Sequence, residues 1–262
     1  MKKISIPPLA ILVAEDDRVN QLYIKTLLEK EGHSITLAGN GNEVYQLFLN
    51  EKFDVVLMDI QMPDVDGLEA VAHIRQFEKE NALAPTPIFA LSAYNDIEED
   101  ITGQNLQVDL ILPKPLDSET IREALHRIFL HKTETRPSVD AEQEDFSHYE
   151  YQKKLLSEFA DAEDTLISML EMALNDIPVK MDTIEHTFLT GDTKSAAREA
   201  HSLANIVGVL YRPRERNTAL TIEEKIEHGE LSAARQCFSD YKEQINTLTH
   251  TFRAILFGSL SK

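Results

Sequence analysis

Cysteine is almost missing from these 262 residues: Cys237 is the only one. No disulfide can form within the chain, and a reducing, cytoplasmic setting is the expectation. Cations are scarce too, with 26 Lys and Arg against 45 Asp and Glu and a formal net charge of -19. A chain this acidic is poorly suited to gripping nucleic acid or anionic lipid, so neither is expected as a partner. No apolar run approaches the roughly 20 residues needed to cross a bilayer, and membrane insertion is not expected. The N-terminal stretch is faintly like a signal peptide. However, Pro7 and Pro8 interrupt it, and Glu15-Asp16-Asp17 closes it without a small-residue cleavage site, so it is read as part of the folded chain.

The length is comfortable for two domains. The first half alternates short apolar runs with amphipathic stretches. The runs are Leu9–Ala14, Ile35–Ala38, Asp54–Met58, Pro87–Leu91 and Val108–Leu112. They are too short for helices and rich in Ile, Val and Leu, as in strands covered on both faces. Between them, Arg18–Glu31 places Val19, Leu22 and Thr26/Leu27 on one side. Gly67–Glu80 does so with Leu68, Val71, Ile74 and Phe77, and Ser118–Leu130 with Ile121, Leu125 and Ile128, capped by Asp117 or Ser118. Five strands alternating with five helices predict an α/β domain, a doubly wound parallel sheet. Residues 132–147 are polar and aperiodic and read as a linker. From Tyr149 the strand-like runs vanish. Amphipathic stretches Tyr149–Ala160, Glu163–Leu189, Thr193–Leu210, Arg214–His228 and Leu231–Phe257 predict an all-α unit, most simply a four-helix bundle with a short leading helix. The expected domains are therefore 1–131 and 148–262.

In such a sheet, ligands bind beyond the carboxyl ends of the strands. Asp16 and Asp17 follow the first run and Asp59 the third. Ser92 follows the fourth and Lys114 the fifth, so all fall on one edge. Clustered carboxylates repel one another and favour a hard cation such as Mg2+. One of them can then attack phosphorus, while a lysine and a hydroxyl steady the phosphoryl oxygens. Taken alone, Asp-Asp before a helix is an ordinary N-cap. The joint pattern at four strand ends outweighs that.

The stretches Val-Ala-Glu-Asp-Asp-Arg-Val-Asn (13–20), Leu-Met-Asp-Ile-Gln-Met-Pro-Asp-Val-Asp-Gly-Leu-Glu (57–69) and Leu-Pro-Lys-Pro (112–115) resemble the receiver domain of two-component response regulators, over roughly residues 9–130. The resemblance implies a flavodoxin-like fold with Asp59 as phosphoacceptor. Asp16, Asp17 and the Gln61 carbonyl would hold Mg2+ alongside Asp59. Ser92 and Lys114 would touch the phosphoryl group, and Lys114–Pro115 would be cis. One departure stands out: Ile111 occupies a position usually held by an aromatic switch residue. Tyr94 lies close enough to Ser92 to screen the pocket from water, or is a plain loop residue. A metal-dependent phosphatase of the haloacid dehalogenase type also uses a strand-end aspartate, but it wants Asp-x-Asp, and Asp59-Ile60-Gln61 stands here.

In the second half Ala196, Ala200, Leu203, Val207 and Leu210 repeat at helical spacing and predict a buried seam. Arg198, His201, Asn205 and Gly208 form the neighbouring stripe, expected at the surface. The region from Leu155 to about Leu248 resembles a histidine phosphotransfer (HPt) domain. The resembling residues are Leu-Asn-Asp-Ile-Pro (174–178), Gly-Asp (191–192), Ala-His-Ser-Leu (200–203) and Ile-Glu-Glu-Lys-Ile-Glu-His-Gly-Glu (222–230). It implies that His201 carries a phosphoryl group. Family members usually have Lys and Gly three and four residues after the histidine; this chain has Ala204 and Asn205, which leaves open a non-catalytic docking bundle. The basic turn Tyr211–Arg216 contains Glu215 and reads as a solvated turn. The expectation is a phosphorelay protein without a kinase ATP-binding domain, served by a sensor histidine kinase and by a second response regulator or HPt protein.

Overall fold

The computed structural model describes residues 6–62, 67–92, 108–129, 155 and 159–259. The chain divides into two compact units, Met1–Asp140 and Ala141–Lys262. The expected linker 132–147, most of the short leading helix and Tyr94 lie outside the described residues, as does whatever joins the fourth and fifth strands.

The first unit carries strands β1 (Ala10–Ala14), β2 (Ser34–Ala38), β3 (Val55–Asp59), β4 (Ile88–Ser92) and β5 (Leu110–Pro113). The described helices between and after them are α1 (Arg18–Lys30), α2 (Gly41–Asn50), α3 (Gly67–Glu80) and α4 (Ser118–Phe129). All neighbouring strands pair in parallel in the order β2-β1-β3-β4-β5. The five-stranded parallel sheet of a flavodoxin-like fold is therefore present. Every residue of β3 and β4 is buried, the consequence of helices on both faces of an Ile/Val/Leu-rich strand.

The α1 stripe is shifted from the expected one. Val19, Tyr23, Ile24, Leu27 and Leu28 face the core, while Leu22 and Thr26 are half-buried. Leu22 and Tyr23 are neighbours of comparable bulk, and the sheet takes the side carrying the aromatic ring. Asp117 caps α4 by accepting from the Thr120 N–H at 2.7 Å.

The second unit holds α5 (Glu163–Thr190), α6 (Thr193–Val209), α7 (Pro213–Glu227) and α8 (Leu231–Ser259). Pro178 lies inside α5, which continues through it. Helix α5 packs on α6, α6 on α7, α7 on α8, and α8 returns to α5. Gly191, at φ 81°, ends α5 in the left-handed conformation that costs glycine least. No described helix is long and apolar enough to cross a membrane.

At the amino edge of the sheet, side chains satisfy strand-entry amides. His33 Nδ1 accepts from the Leu9 N–H at 3.2 Å, and Asp54 and Asp109 each accept from a strand residue at 2.8 Å. A ring nitrogen that accepts must be unprotonated, and burial lowers the His33 pKa, partly opposed by Glu31. A folded-state pKa below the unfolded value means stability present above about pH 6.5 and lost as pH falls below it. Urea unfolding of the full chain between pH 7.5 and 5 is expected to show this decline, and His33→Asn, which keeps an acceptor but cannot titrate, to flatten it.

Candidate phosphoacceptor site

The carboxyl edge is built from strand ends. Asp59 closes β3, Ser92 closes β4, and Lys114 follows β5. Each stops where its strand stops, so the register sets their spacing: Asp59 pairs with Leu91, and Ser92 with Pro113. The Lys114 N–H donates to the Ser92 carbonyl at 2.7 Å, and the Lys114–Pro115 peptide is cis. From this anchor the lysine side chain reaches back across the edge. Its Nζ lies 2.7 Å from Asp59 Oδ2 and 2.7 Å from Glu15 Oε2. All three side chains are buried. Burial disfavours the ammonium, but the charges of Asp59 and Glu15 outweigh it and hold the Lys114 pKa above the ordinary lysine range.

Asp16 and Asp17 part company. Asp17 is the N-cap of α1, with Oδ1 accepting from Val19 and Asn20 at 2.9 and 3.1 Å. The carboxylates that gather are Glu15, Asp16 and Asp59, with ligand atoms within 4.8 Å of one another. Glu15 is the site residue that the sequence assignment of metal ligands passed over. The signal was present, since Glu15 is the first residue beyond β1. Its Oε1 accepts from the Asp17 N–H at 3.3 Å and from Asn20 Nδ2 at 3.2 Å.

Burial, then the charge of Glu15, pushes the Asp16 carboxyl up to about 6 against the opposing pull of Lys114. With all acids ionised, three carboxylates face one ammonium, a local excess of two negative charges. An all-oxygen donor set with that deficit fits a hard divalent cation. The Gln61 N–H donates to Asp59 Oδ1 at 3.1 Å, which brings the residue 61 backbone to the site.

Gly67 opens α3 directly against this edge. A Cβ there would stand 2.1 Å from the Asp59 carbonyl oxygen and 2.8 Å from Ile60 Cα, both backbone atoms that cannot swing aside.

Residues 11–126 match the response regulator receiver domain model. This part of the chain is a response regulator receiver domain. The sensor histidine kinase GacS of Pseudomonas protegens is 28% identical over 201 residues, covering 74% of this chain and 22% of that protein. An alignment that long extends beyond the receiver domain into the second unit. The response regulator MprA of a Mycobacterium species is 31% identical over 134 residues, covering 51% of this chain and 56% of that protein. The chain thus spans less than a quarter of one relative and about half of the other. Among solved structures, the receiver domain of sensor histidine kinase PA1611 from Pseudomonas aeruginosa, with magnesium in its active site cleft, is 28% identical. It covers 46% of this chain and 97% of that one, with a TM-score of 0.42. The receiver domain here is that of a two-component system, similar to those of hybrid histidine kinases and response regulators.

His201 lies in the other unit, and the structure corrects its expected exposure. It is 6% exposed, and Asn205 and Gly208 of the same stripe are buried as well. The seam Ala196, Ala200, Leu203, Val207 and Leu210 is buried as expected. The difference arises because α7 lies across the second stripe. Arg216 of α7 covers Gly208, where an added Cβ would meet its Cδ at 3.0 Å. Glu223 of α7 reaches His201 Nδ1, both carboxylate oxygens standing 3.0 Å away. In the turn before α7, Arg212 pairs with the buried Glu215, so part of the basic cluster is neutralised locally.

Two outcomes are expected for the receiver domain. Lys114→Met leaves Glu15 and Asp59 buried without their cation, and metal-free stability in urea falls by about 3–5 kcal/mol. Gly67→Ala costs about 1–3 kcal/mol by overpacking against the Asp59 backbone, read in the same assay.

Proposed function

We propose that the receiver domain accepts a phosphoryl group on Asp59 from a phosphorylated sensor histidine kinase, in a magnesium-dependent reaction, and passes a signal to the helical unit. The observation that carries this is the Lys114 ammonium shared between Asp59 and Glu15 at 2.7 Å each, with Asp16 completing the acidic cluster.

The chain's own residues supply most of the chemistry. An Asp59 carboxylate oxygen attacks phosphorus, and the bond from phosphorus to the donor nitrogen breaks. The product is an acyl phosphate on Asp59. Lys114, 2.7 Å from Asp59, is placed to follow the charge onto the phosphoryl oxygens, with the Ser92 hydroxyl at the adjoining strand end. Glu15, Asp16, Asp59 and the Gln61 carbonyl would hold Mg2+; Asp17 is committed by one oxygen to the α1 cap. When bound, the cation neutralises the carboxylates and the incoming phosphate, removing the repulsion between them.

For the helical unit we propose an HPt-like role, with His201 exchanging the group with an aspartyl phosphate. The Glu223 contact at 3.0 Å supports it. A carboxylate at Nδ1 keeps the proton there and leaves Nε2 with the lone pair that attacks phosphorus. A rival reading makes this unit a non-catalytic binding module switched by the receiver. Its support is the burial of His201 together with Ala204 and Asn205.

Acetyl phosphate with Mg2+ should add one phosphoryl group to the intact protein, seen by mass spectrometry. Asp59→Asn or EDTA should abolish it, and an unmodified wild type would refute the proposal. With a phosphorylated kinase as donor, the relay reading expects acid-labile, alkali-stable label that disappears in His201→Gln and falls in Glu223→Gln. Label confined to Asp59 would establish the binding-module reading instead.

A further inference from the structure

Asn20 has no part in the scheme above, yet it is 2% exposed and sits beside the acidic cluster in the first turn of α1. Its backbone N–H is satisfied by Asp17 Oδ1 at 3.1 Å, so the helix cap accounts for its main chain and not for its side chain. The side-chain amide is divided. Nδ2 donates to Glu15 Oε1 at 3.2 Å, while Oδ1 is buried with no hydrogen-bond partner.

A buried acceptor left unpaired costs about 1–3 kcal/mol, and helix propensity gives no reason to prefer Asn to Ala at this position. The Nδ2 bond to the buried Glu15 carboxylate offsets part of this, but nothing in the metal-free fold offsets the unpaired Oδ1. A polar group kept at such a cost is explained by something that arrives later. What arrives must be a donor, because Oδ1 can only accept. It must reach an atom of the same amide that already holds Glu15. The water shell of a divalent cation meets both conditions. Mg2+ sheds its waters reluctantly and keeps several when bound to carboxylates, and a metal polarises their protons into strong donors.

We propose that Asn20 is a positioning residue of the metal centre: its Nδ2 fixes the Glu15 carboxylate, and its Oδ1 accepts from a water on the bound cation. Glu15 is then held on both sides. Oε1 faces Asn20 and the Asp17 N–H, and Oε2 faces Lys114 at 2.7 Å. This inference rests on the magnesium reading, and its test separates the two.

The full chain, stripped of metal, is titrated with Mg2+ and followed by 15N NMR. Unfolding of the metal-free protein in urea is measured alongside. Wild type is expected to saturate. Asn20→Ala should bind Mg2+ about 10–100-fold more weakly, the usual effect of losing a partner of a metal ligand, while the metal-free protein stays folded. Asn20→Leu, which fills the volume without polar atoms, should behave alike and excludes a cavity effect. Affinity within about twofold of wild type in both variants would overturn the inference. So would unfolding of both variants in the absence of metal, which would mark Asn20 as a structural residue. If the wild type itself takes up no Mg2+, the magnesium reading falls, and this inference with it.

Discussion

The Lys114 ammonium lies between Glu15 Oε2 and Asp59 Oδ2, buried with both, and ties the ends of β1 and β3 to the residue that follows β5. A buried charge must be paired, so this contact leaves little freedom at the strand ends. The parallel order fixes which residues emerge at the edge, and the ion pairs fix where their side chains go. The backbone repeats the constraint. The Lys114 N–H bonds the Ser92 carbonyl, and Gly67 lets α3 start against the Asp59 carbonyl with no room for a methyl group. The cluster is thus a product of topology and electrostatics together.

The same contact sets the chemical character of the site. One ammonium among three carboxylates leaves a residual negative charge, and burial, together with the charge of Glu15, raises the Asp16 pKa. In the proposed reaction a divalent cation would relieve this, and an incoming phosphoryl group would then meet positive charge rather than negative. Asp59 stays fixed by Lys114 on one oxygen and by the Gln61 N–H on the other, so its orientation is established before any phosphoryl donor arrives.

Much of this was legible in the residues. The strands end within two residues of where their apolar runs end, because burial on both faces demands a continuous apolar run and a polar residue closes it. The places of Asp59, Ser92 and Lys114 at the strand ends followed from that rule. The division of labour among Glu15, Asp16 and Asp17 did not. All three are acids in a row, and which one caps α1 depends on a backbone turn that spacing does not specify. The α1 stripe slipped for a related reason, since Leu22 and Tyr23 are both apolar and only the sheet decides between them. His201 was misjudged most. A heptad-like seam marks one buried face of α6, but a helix packed by α5 on one side and α7 on the other has two, and small or polar residues such as Gly208 and Asn205 conceal the second. Glu223, 22 residues away along the chain, gave no sign that it would meet the imidazole.

The central claim is that Asp59 is the phosphoacceptor of an assembled Glu15, Asp16, Lys114 cradle. A crystal structure of the full chain with Mg2+ and beryllofluoride, which mimics an aspartyl phosphate, tests it most directly. The account predicts the fluoride group on an Asp59 oxygen, Lys114 against one fluorine, and the cation held among Glu15, Asp16 and Asp59. Beryllofluoride absent from Asp59, or a cation bound away from these carboxylates, would contradict it.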